Sequence, residues 1–225
     1  IAASYLNIPL AHVQGGEVTG SIDEKVRHAV TKLANLHFVA GSRAAERVVR
    51  MGEVTDTVYV TGCPSIDLVA RVVAEADTHF DPYSRYKGVG SPLPTDDGYL
   101  VVLQHPVTTE YMEAASQIDA TLDAIESRGQ PTFWFRPNID AGSDRISKVI
   151  RHRRETRKLS HIYFFKNMSP EDFIRLLARA RSLVGNSSAG IREAAYLGLP
   201  VVNIGSRQQG RDRAPNVIDV PYDLV

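Results

Sequence analysis

Acids and amides crowd a glycine turn near the start of the chain, in the stretch HVQGGEVTGSIDEKVRH between His12 and His28. Two adjacent glycines permit a turn that larger side chains would block. Gln14, Glu17 and Asp23 surround that turn. Carboxylates in such a place can take or give protons on a bound substrate, so these side chains are candidates for a polar site whose chemistry this stretch alone leaves open.

A purely structural interpretation of the same residues stays open. Ser21 and Glu24 have the spacing of a capping box that starts a helix. Asp23 would then be an acid in a first helical turn, where the helix dipole favours it. Arg27 stands four residues later and could pair with Asp23.

Polar residues also follow two later apolar runs. LQHPVTTE places His105 directly after one run, where a histidine can act as an acid, a base or a phosphate ligand. The alternative is an exposed loop histidine. FRPNIDAGSDR places Arg136 and Asn138 at the end of another run, and an Asx turn explains this pattern equally well.

The sharpest signal is the stretch LVGNSSAGIREAAYLGLPVVNIG. An apolar run leads into Asn186, Ser187, Ser188 and Gly190 before a predicted helix, and small residues at a helix start make an anion site. A carboxylate there repels phosphate, so Glu193 is predicted to hold sugar hydroxyls such as those of a ribose. A simple serine N-cap is the alternative.

Three arginines follow the next apolar run, in GSRQQGRDR: Arg207, Arg211 and Arg213. Arginine suits bidentate contacts to phosphate, although a solvated basic loop would look the same. No G-x-G-x-x-G follows a predicted strand, and GNSSAGIR lacks the Lys-Ser/Thr of a Walker site. H-E-x-x-H and G-x-S-x-G are also absent. We therefore expect no cofactor and no metal.

Regular alternation of strands and helices must position these residues. Apolar, β-branched runs predict strands at 8–13, 36–40, 58–61, 99–104, 132–136, 161–165, 182–186 and 200–205. Amphipathic stretches predict helices near 22–35, 42–52, 65–77, 108–128, 143–157, 169–181 and 188–198. This order is typical of a doubly wound α/β fold with parallel sheets. Ligands of such sheets bind at the carboxyl ends of the strands, where the candidate residues fall.

The alternation breaks once, in a stretch rich in proline and glycine at 78–98. A loop this long is unusual inside one domain, so it predicts a boundary. We expect the C-terminal part of a first Rossmann-like domain at 1–78, a linker at 79–97 and a second, nucleotide-binding Rossmann-like domain at 98–225. The chain starts at Ile1 rather than Met, and we expect it to be a fragment whose first domain is incomplete.

Composition limits the partners. The 225 residues are 43% hydrophobic and 23% charged, and 26 Lys plus Arg balance 26 Asp plus Glu. This balance gives no footprint for nucleic acid, and no apolar run has the length of a membrane span. The single cysteine, Cys63, rules out an internal disulfide and favours a cytoplasmic location.

Taken together, the motifs HVQGGEVTGSIDEKVRHAVTKL, LQHPVTT, RPNIDAGSDR and GNSSAGIREAAYLGLPVVNIGSRQQGR resemble the hydrolysing UDP-N-acetylglucosamine 2-epimerases of sialic and legionaminic acid synthesis. The resemblance covers nearly the whole chain. It implies a two-domain, glycosyltransferase-B-like fold with the active site in the cleft between domains. It also implies cofactor-free removal of the C2 proton, loss of UDP through a glycal-like intermediate, and release of a free N-acetylmannosamine-type sugar.

The resemblance also implies roles for single residues. His105 matches an active-site histidine, Asn138 a residue beside the site, and Asp23 a catalytic carboxylate. The positions that match UDP-holding residues are Ser187, Ser188, Glu193 and Arg207. Gln14 departs from the pattern, because relatives carry a catalytic Glu two residues after the histidine of this strand. Either Glu17 or Asp23 takes over that work, or the chain serves a variant sugar.

Other functions stay open at this stage. The alternatives are a non-hydrolysing 2-epimerase, a glycosyltransferase of the same architecture, and a nucleotide-sugar sensor that binds without turnover. The sequence leaves the hexosamine and the nucleotide base undetermined. We expect a nucleotide-sugar substrate and, in the full-length protein, a homo-oligomer.

Overall fold

The structure is a computed structural model that describes residues 1–19, 22–75, 80–157 and 159–222. The chain forms two compact units, and the first runs from Ile1 to Asp67 and includes 209–211. It contains α1 (Ala2–Tyr5), β1 (Ala11–Val13), α2 (Ile22–Leu33), β2 (Leu36–Val39), α3 (Ser42–Arg50), a 3₁₀ turn (Thr55–Thr57) and β3 (Val58–Val60). The helix α4 (Pro64–Glu75) carries the chain into the second unit.

A parallel three-stranded sheet, in the order β1-β2-β3, forms the centre of the first unit. His12 stands opposite His37, and His37 opposite Val58. A small core forms where Val39 of β2 meets Ala44 and Val48 on one face of α3. Their spacing of four residues puts both helix side chains on the same side, as an amphipathic helix requires.

The second unit continues the alternation of strand and helix. Its elements are α5 (Pro82–Arg85), β4 (Gly88–Val89), β5 (Leu100–Leu103), a 3₁₀ turn (Thr108–Glu110), α6 (Ala114–Arg128), β6 (Thr132–Phe135), α7 (Ser143–Thr156), β7 (Ile162–Phe165), α8 (Pro170–Leu177), β8 (Ser182–Gly185), α9 (Ser188–Ile191), α10 (Glu193–Leu197), β9 (Val201–Ile204) and β10 (Val217–Val220).

These strands form one sheet in the order β10-β9-β8-β5-β6-β7-β4, parallel except for β4. The chain runs outward from β5 through β6 and β7, then returns to the other side of β5 and continues through β8, β9 and β10. The strand order therefore reverses between β5 and β8. A doubly wound sheet binds ligands outside the carboxyl ends of its strands at such a reversal.

Both faces of this sheet are covered by hydrophobic cores. In β6, Phe133 and Phe135 point to one face and join a core with Phe165, whereas Trp134 points to the other and packs with Ile118. Because successive strand residues alternate, a fully apolar strand is the expected result of helices on both faces. The predicted α/β class with parallel sheets is confirmed.

Residues 80–97, predicted to be part of a linker, pack instead on the second sheet. Phe80 and Leu93 are buried in its core, and the ring centroid of Tyr83 lies 4.9 Å from that of Tyr163. The compact units divide after Asp67 rather than at 79–97. The prolines and glycines of this segment remove helical periodicity, which made it look like a linker, but they leave its aromatic side chains free to be buried.

Other predicted elements differ in detail. The helix predicted at 188–198 is broken into α9 and α10 at Arg192, where φ is −107° and ψ is −73°. The helix predicted at 108–128 begins only at Ala114, after the 3₁₀ turn. The short strand β4 was missed. Among the described residues, no helix combines the length and apolar character needed to cross a membrane.

Candidate functional site

A cavity of about 360 Å³ lies in the second unit at the carboxyl ends of β5 to β8. It occupies the position where the strand order reverses. The structure brings five of the predicted site residues to its lining. They are His105, Asn138, Ser187, Ser188 and Arg207.

Asn186 connects three segments of this site through hydrogen bonds. Its side chain is fully buried, accepts the His105 N–H at 2.7 Å and donates to the His105 carbonyl at 2.9 Å. Its own carbonyl accepts from Gln208 at 2.8 Å and from Arg207 at 3.2 Å. One side chain therefore fixes the end of β5 to the end of β8, and its carbonyl anchors the segment after β9.

His105 is held as a neutral imidazole. Its side chain is buried, and its Nδ1 accepts the backbone N–H of Asn138 at 3.0 Å. Burial, helped by the positive charge of Arg207, lowers the pKa of His105 to about 3. The proton of the neutral ring therefore sits on Nε2, which makes that nitrogen a hydrogen-bond donor.

The two serines serve as helix caps as well as cavity lining. Ser187 is the N-cap of α9, and its Oγ accepts the N–H of Ala189 at 3.3 Å. Ser188 Oγ accepts from Arg192 Nη2 at 3.0 Å. The N-cap alternative for this motif is thus correct for Ser187. Because α9 has only four residues, its dipole is a small part of any anion binding.

Cations and an apolar wall complete the cavity. Arg136, Lys166 and Arg207 contribute positive charge, and Phe135 and Phe173 meet edge to face with centroids 5.2 Å apart. Lys166 and the adjacent Asn167 were not predicted as site residues, although both directly follow the predicted strand 161–165. The lining can hold an anion beside a flat ring.

Glu193 does not join the lining of this cavity. It is the first residue of α10, beyond the break at Arg192. Its Oε2 is buried and has no hydrogen-bond partner in the part of the chain that the structure describes. Arg211 and Arg213 are also elsewhere, since Arg211 lies 3.4 Å from Glu17 and Arg213 Nε lies 2.7 Å from Asp219.

The glycine turn of the first unit has a demanding backbone. Gln14 adopts φ 62°, an uncommon conformation for a residue with a side chain. Its amide nitrogen donates to Cys63 Sγ at 2.9 Å. A Cβ on Gly16, at φ 77°, would collide with the carbonyl oxygen of Ala44. The turn is thus fixed by close packing, and non-glycine strain of this kind is typical of functional sites.

The acids after the turn are held differently from one another. Glu17 Oε2 lies 3.4 Å from Arg211, and the Glu17 carbonyl accepts from Arg27 at 3.1 Å. Glu24 accepts the backbone N–H of Thr19 at 2.7 Å. Asp23 is exposed in the first turn of α2. Ser21, the other half of the predicted capping box, lies outside the described residues.

His12 lies beneath the turn. Thr31 donates its hydroxyl hydrogen to the Arg27 carbonyl, so its oxygen accepts from His12 Nδ1 at 3.0 Å. Burial, followed by the charges of His37 and Arg27, lowers the pKa of His12. Within 1–19, 22–75, 80–157 and 159–222, no three His, Cys, Asp or Glu side chains are grouped to hold a metal ion.

A family model described as UDP-N-acetylglucosamine 2-epimerase matches residues 1–224. This chain belongs to that family. The motif resemblance is therefore confirmed at the level of the family.

Relatives within the epimerase family support this assignment over the whole chain. A Legionella pneumophila protein named UDP-N,N'-diacetylbacillosamine 2-epimerase (hydrolyzing) is 36% identical over 100% of this chain and 58% of its own length. A Neisseria meningitidis UDP-N-acetylglucosamine 2-epimerase is 32% identical over 95% of this chain and 54% of its own length. The chain thus spans little more than half the length of these epimerases.

The fold also agrees with that of a solved epimerase. The Methanocaldococcus jannaschii UDP-GlcNAc 2-epimerase, crystallised with UDP-GlcNAc and UDP, superposes with a TM-score of 0.78. The match covers 98% of this chain and 60% of that one at 17% identity. At this identity the likeness establishes the α/β fold alone.

Proposed function

We propose that the protein catalyses hydrolysing 2-epimerisation of a UDP-activated N-acetylhexosamine, with the second-unit cavity holding UDP. The observation that carries the proposal is the grouping of neutral His105 with Ser187, Ser188 and Arg207 in one cavity of an epimerase-family chain. The Legionella pneumophila relative, which matches the whole of this chain and is named as a hydrolysing enzyme, supports the hydrolysing type.

The leaving group determines what the cavity must do. Breaking the C1–O bond leaves the electron pair and the negative charge on UDP. Arg207 and the serine hydroxyls stabilise that charge, since fixed cations and donors aimed at a developing charge lower a barrier most effectively. Phe135 and Phe173 supply an apolar wall for the uracil ring. Glu193 lies outside the cavity lining. Its Oε2 has no hydrogen-bond partner among the described residues, and we propose that it accepts from ribose hydroxyls that extend beyond the cavity.

His105 acts in this scheme as a donor rather than as a base. Its Nδ1 lone pair is already used by the Asn138 N–H, and its Nε2 carries the proton. The Nε2–H group donates to an oxygen of the sugar or the diphosphate. With its low pKa, His105 keeps this neutral form throughout the physiological range.

A carboxylate of the first unit removes the C2 proton. Gln14 is an amide and has no basic lone pair to do so. Glu17 is already engaged by Arg211, whose Nη2 lies 3.4 Å from its Oε2. Asp23 is therefore the proposed base. After UDP leaves, water adds across C1 and C2, its hydroxyl going to C1 and a proton returning to C2 on the opposite face.

Proton NMR of the full-length protein in deuterated water tests the proposal. UDP-N-acetylglucosamine and UDP-N,N'-diacetylbacillosamine serve as separate substrates, because the two relatives are named for them. The expected products are free UDP and a free 2-epimeric sugar with deuterium at C2. Faster turnover of one substrate identifies the preferred hexosamine.

The same spectra distinguish the other functions. A non-hydrolysing epimerase gives a 2-epimeric sugar that is still attached to UDP. A glycosyltransferase releases UDP only when an acceptor is added. A sensor binds either nucleotide sugar and leaves C2 unlabelled. Any of these three outcomes contradicts the proposed reaction.

A further inference from the structure

A second cavity, of about 510 Å³, lies in the second unit beside α7 and the strands β4, β6 and β7. Five cationic side chains line it, and no acidic residue is found among the described residues of the lining. The cations are Lys87, Arg136, Arg151, Arg154 and Lys166. Since the whole chain carries 26 basic and 26 acidic residues, this is a local excess of charge.

The floor of this basic cavity is apolar and partly aromatic. Trp134 and Phe164 are both buried, and Ile150 of α7 lies beside them. The guanidinium of Arg154 lies over the Phe164 ring, 5.3 Å from its centroid. A stacked guanidinium keeps its N–H groups available for an anion while its plane is held in position.

Two kinds of hydrogen-bond donor in the basic cavity, the Trp134 indole and the five cationic side chains, have hydrogen-bonding capacity that the described residues do not use. Trp134 Nε1 is buried and has no hydrogen-bond partner among the described residues. A buried indole N–H ordinarily finds an acceptor, so this one needs an explanation. In the described part of the chain, moreover, no carboxylate forms an ion pair with any of the five cations. Among the described residues, therefore, no acidic group in the cavity neutralises the cations, and the indole N–H has no acceptor.

The neighbouring Arg153 shows that this is not a general property of α7. Arg153 points away from the basic cavity toward α6 and forms ion pairs with three carboxylates, whose N–O distances are 2.7 to 3.2 Å: Asp119, Asp123 and Glu126. Arg151 and Arg154, on the same helix, line the cavity, and neither pairs with a carboxylate of the described residues. The helix neutralises one face and leaves the other positive.

We propose that the basic cavity binds a small polyanion that carries a flat apolar group, of the size of a nucleotide. Its volume falls in the range of small-molecule sites. The cations supply charge-assisted hydrogen bonds to the anionic part, and the aromatic floor receives the flat part. This binding claim is independent of the function proposed for the first cavity.

The basic cavity adjoins the 360 Å³ cavity proposed to hold UDP, here called the nucleotide cavity, and the proposal extends to a coupling between them. Arg136 and Lys166 line both. A ligand that recruits these two side chains to one cavity changes the charge that the other offers. Such a coupling is reciprocal, so occupancy of the basic cavity changes UDP affinity by the same factor as UDP changes the affinity of the basic cavity.

ATP serves as the probe, because it combines a triphosphate with a flat base. Calorimetry of the full-length protein with saturating UDP measures binding outside the nucleotide cavity. Trp134 is the single tryptophan of these 225 residues, so its emission localises the bound probe. The Trp134→Phe variant subtracts any other tryptophan signal. We expect saturable ATP binding that alters Trp134 emission.

Paired variants of α7 test the site. Arg151→Gln combined with Arg154→Gln removes two charges from the lining. We expect the ATP affinity of this double variant to fall by roughly tenfold or more. Arg145→Gln combined with Lys148→Gln removes two exposed charges from the same helix outside the lining, and we expect a change of less than about twofold. Equal ATP affinity in the two double variants, or no ATP binding up to millimolar concentration, overturns the proposal.

Two further measurements test the flat group of the ligand and the coupling to UDP separately. Inorganic tripolyphosphate should bind more weakly than ATP, and equal affinity would remove the flat group from the proposal. Saturating ATP should shift UDP affinity in the wild type but not in the Arg151→Gln/Arg154→Gln variant. If ATP binds and UDP affinity stays unchanged, the coupling is wrong. Failure of turnover in the NMR experiment leaves these binding results unaffected, so the two proposals fail separately.

Discussion

The nucleotide cavity of the second unit and the glycine turn of the first unit hold their polar groups in opposite ways. Asn186 is fully buried and fixes both backbone groups of His105, which is itself buried and neutral. In the turn, Gln14 has a strained backbone, and Asp23 is exposed at the start of a helix. Buried hydrogen bonds hold the backbone of the cavity in place, whereas close packing around a glycine holds the backbone of the turn.

This difference suggests a division of work between the regions. A group that stabilises charge must already be in position when the charge develops, which favours a buried network such as that of Asn186. A group that exchanges protons must change its own charge, which burial opposes and solvent allows. We therefore propose nucleotide binding for the cavity and proton transfer for the turn, and each proposal can be tested separately.

The largest expected effect is on turnover. Asp23→Asn removes the proposed base, and we expect a loss of roughly a thousandfold, within the range of general base catalysis. Because Asn is also accepted at a helix start, folding should be retained. Turnover and melting temperature are measured together. The matched control is Glu24→Gln, the next residue of the same turn, which keeps an acceptor for the Thr19 N–H and should remain active.

If Asp23 is only a structural acid, the pattern reverses. The melting temperature of Asp23→Asn would then fall while most of the activity remains. That outcome would move proton transfer away from Asp23 and make Glu17 the next candidate base.

The next effect is on stability. Asn186→Ala leaves the N–H and carbonyl of His105 buried without partners, and we expect a loss of about 3 kcal/mol in the free energy of unfolding. Asn203→Ala is the control, since Asn203 is also buried but makes a single side-chain hydrogen bond within the described residues, to Asp219. Urea unfolding compares the two. Equal losses of unfolding free energy would show that the hydrogen bonds of Asn186 to His105 stabilise the fold no more than the single bond of Asn203 does.

A smaller effect concerns nucleotide affinity. Ser188→Ala and Arg207→Ala should each weaken UDP binding, and loss of a charge-assisted contact costs about 2 kcal/mol. Calorimetry on the full-length protein measures this. Arg213→Ala is the control, since that side chain pairs with Asp219 and is absent from the lining. Wild-type UDP affinity in both site variants would place UDP outside this cavity.

Acid should weaken the fold through His105. Its pKa is about 3 in the folded chain, against about 6.5 for an unfolded histidine. Below pH 6.5 the unfolded chain takes up a proton that the folded chain refuses, so stability falls as pH falls. Between pH 7 and pH 5 we expect this group alone to cost about 2 kcal/mol.

Comparison with His105→Gln isolates that contribution from other titrating groups. The variant has no imidazole to protonate, so its urea midpoint should fall less between pH 7 and pH 5 than that of the wild type. Parallel pH dependence in the two proteins would mean that His105 is not held neutral.

The sequence predicted most of the strands, their parallel class and the edge at which candidate residues follow them, because apolar runs and their spacing encode these features. His105 and Ser188 were expected at one edge of the sheet and line one cavity. The break at Arg192 was not predicted, since neither Arg192 nor either of its chain neighbours is a proline or a glycine. The packing of Phe80 and Leu93 was also missed, because proline-rich segments carry no periodicity from which burial can be inferred.

Long-range pairs were beyond sequence reasoning altogether. The bond between Asn186 and His105 joins residues 81 positions apart, and the Nδ1 contact of His105 fixes a tautomer that no motif specifies. The basic cavity combines Lys87 with residues of α7, which the sequence keeps far apart. These features depend on the folded sheet rather than on local pattern.

The division of work is tested most directly by measuring C2 deuterium exchange and UDP affinity on the same two variants, Asp23→Asn and Arg207→Ala. NMR in deuterated water gives the exchange rate at saturating nucleotide sugar, and calorimetry gives the affinity. We predict that Asp23→Asn loses exchange with UDP affinity unchanged, while Arg207→Ala loses UDP affinity. Wild-type exchange in Asp23→Asn, or unchanged UDP affinity in Arg207→Ala, would contradict the account.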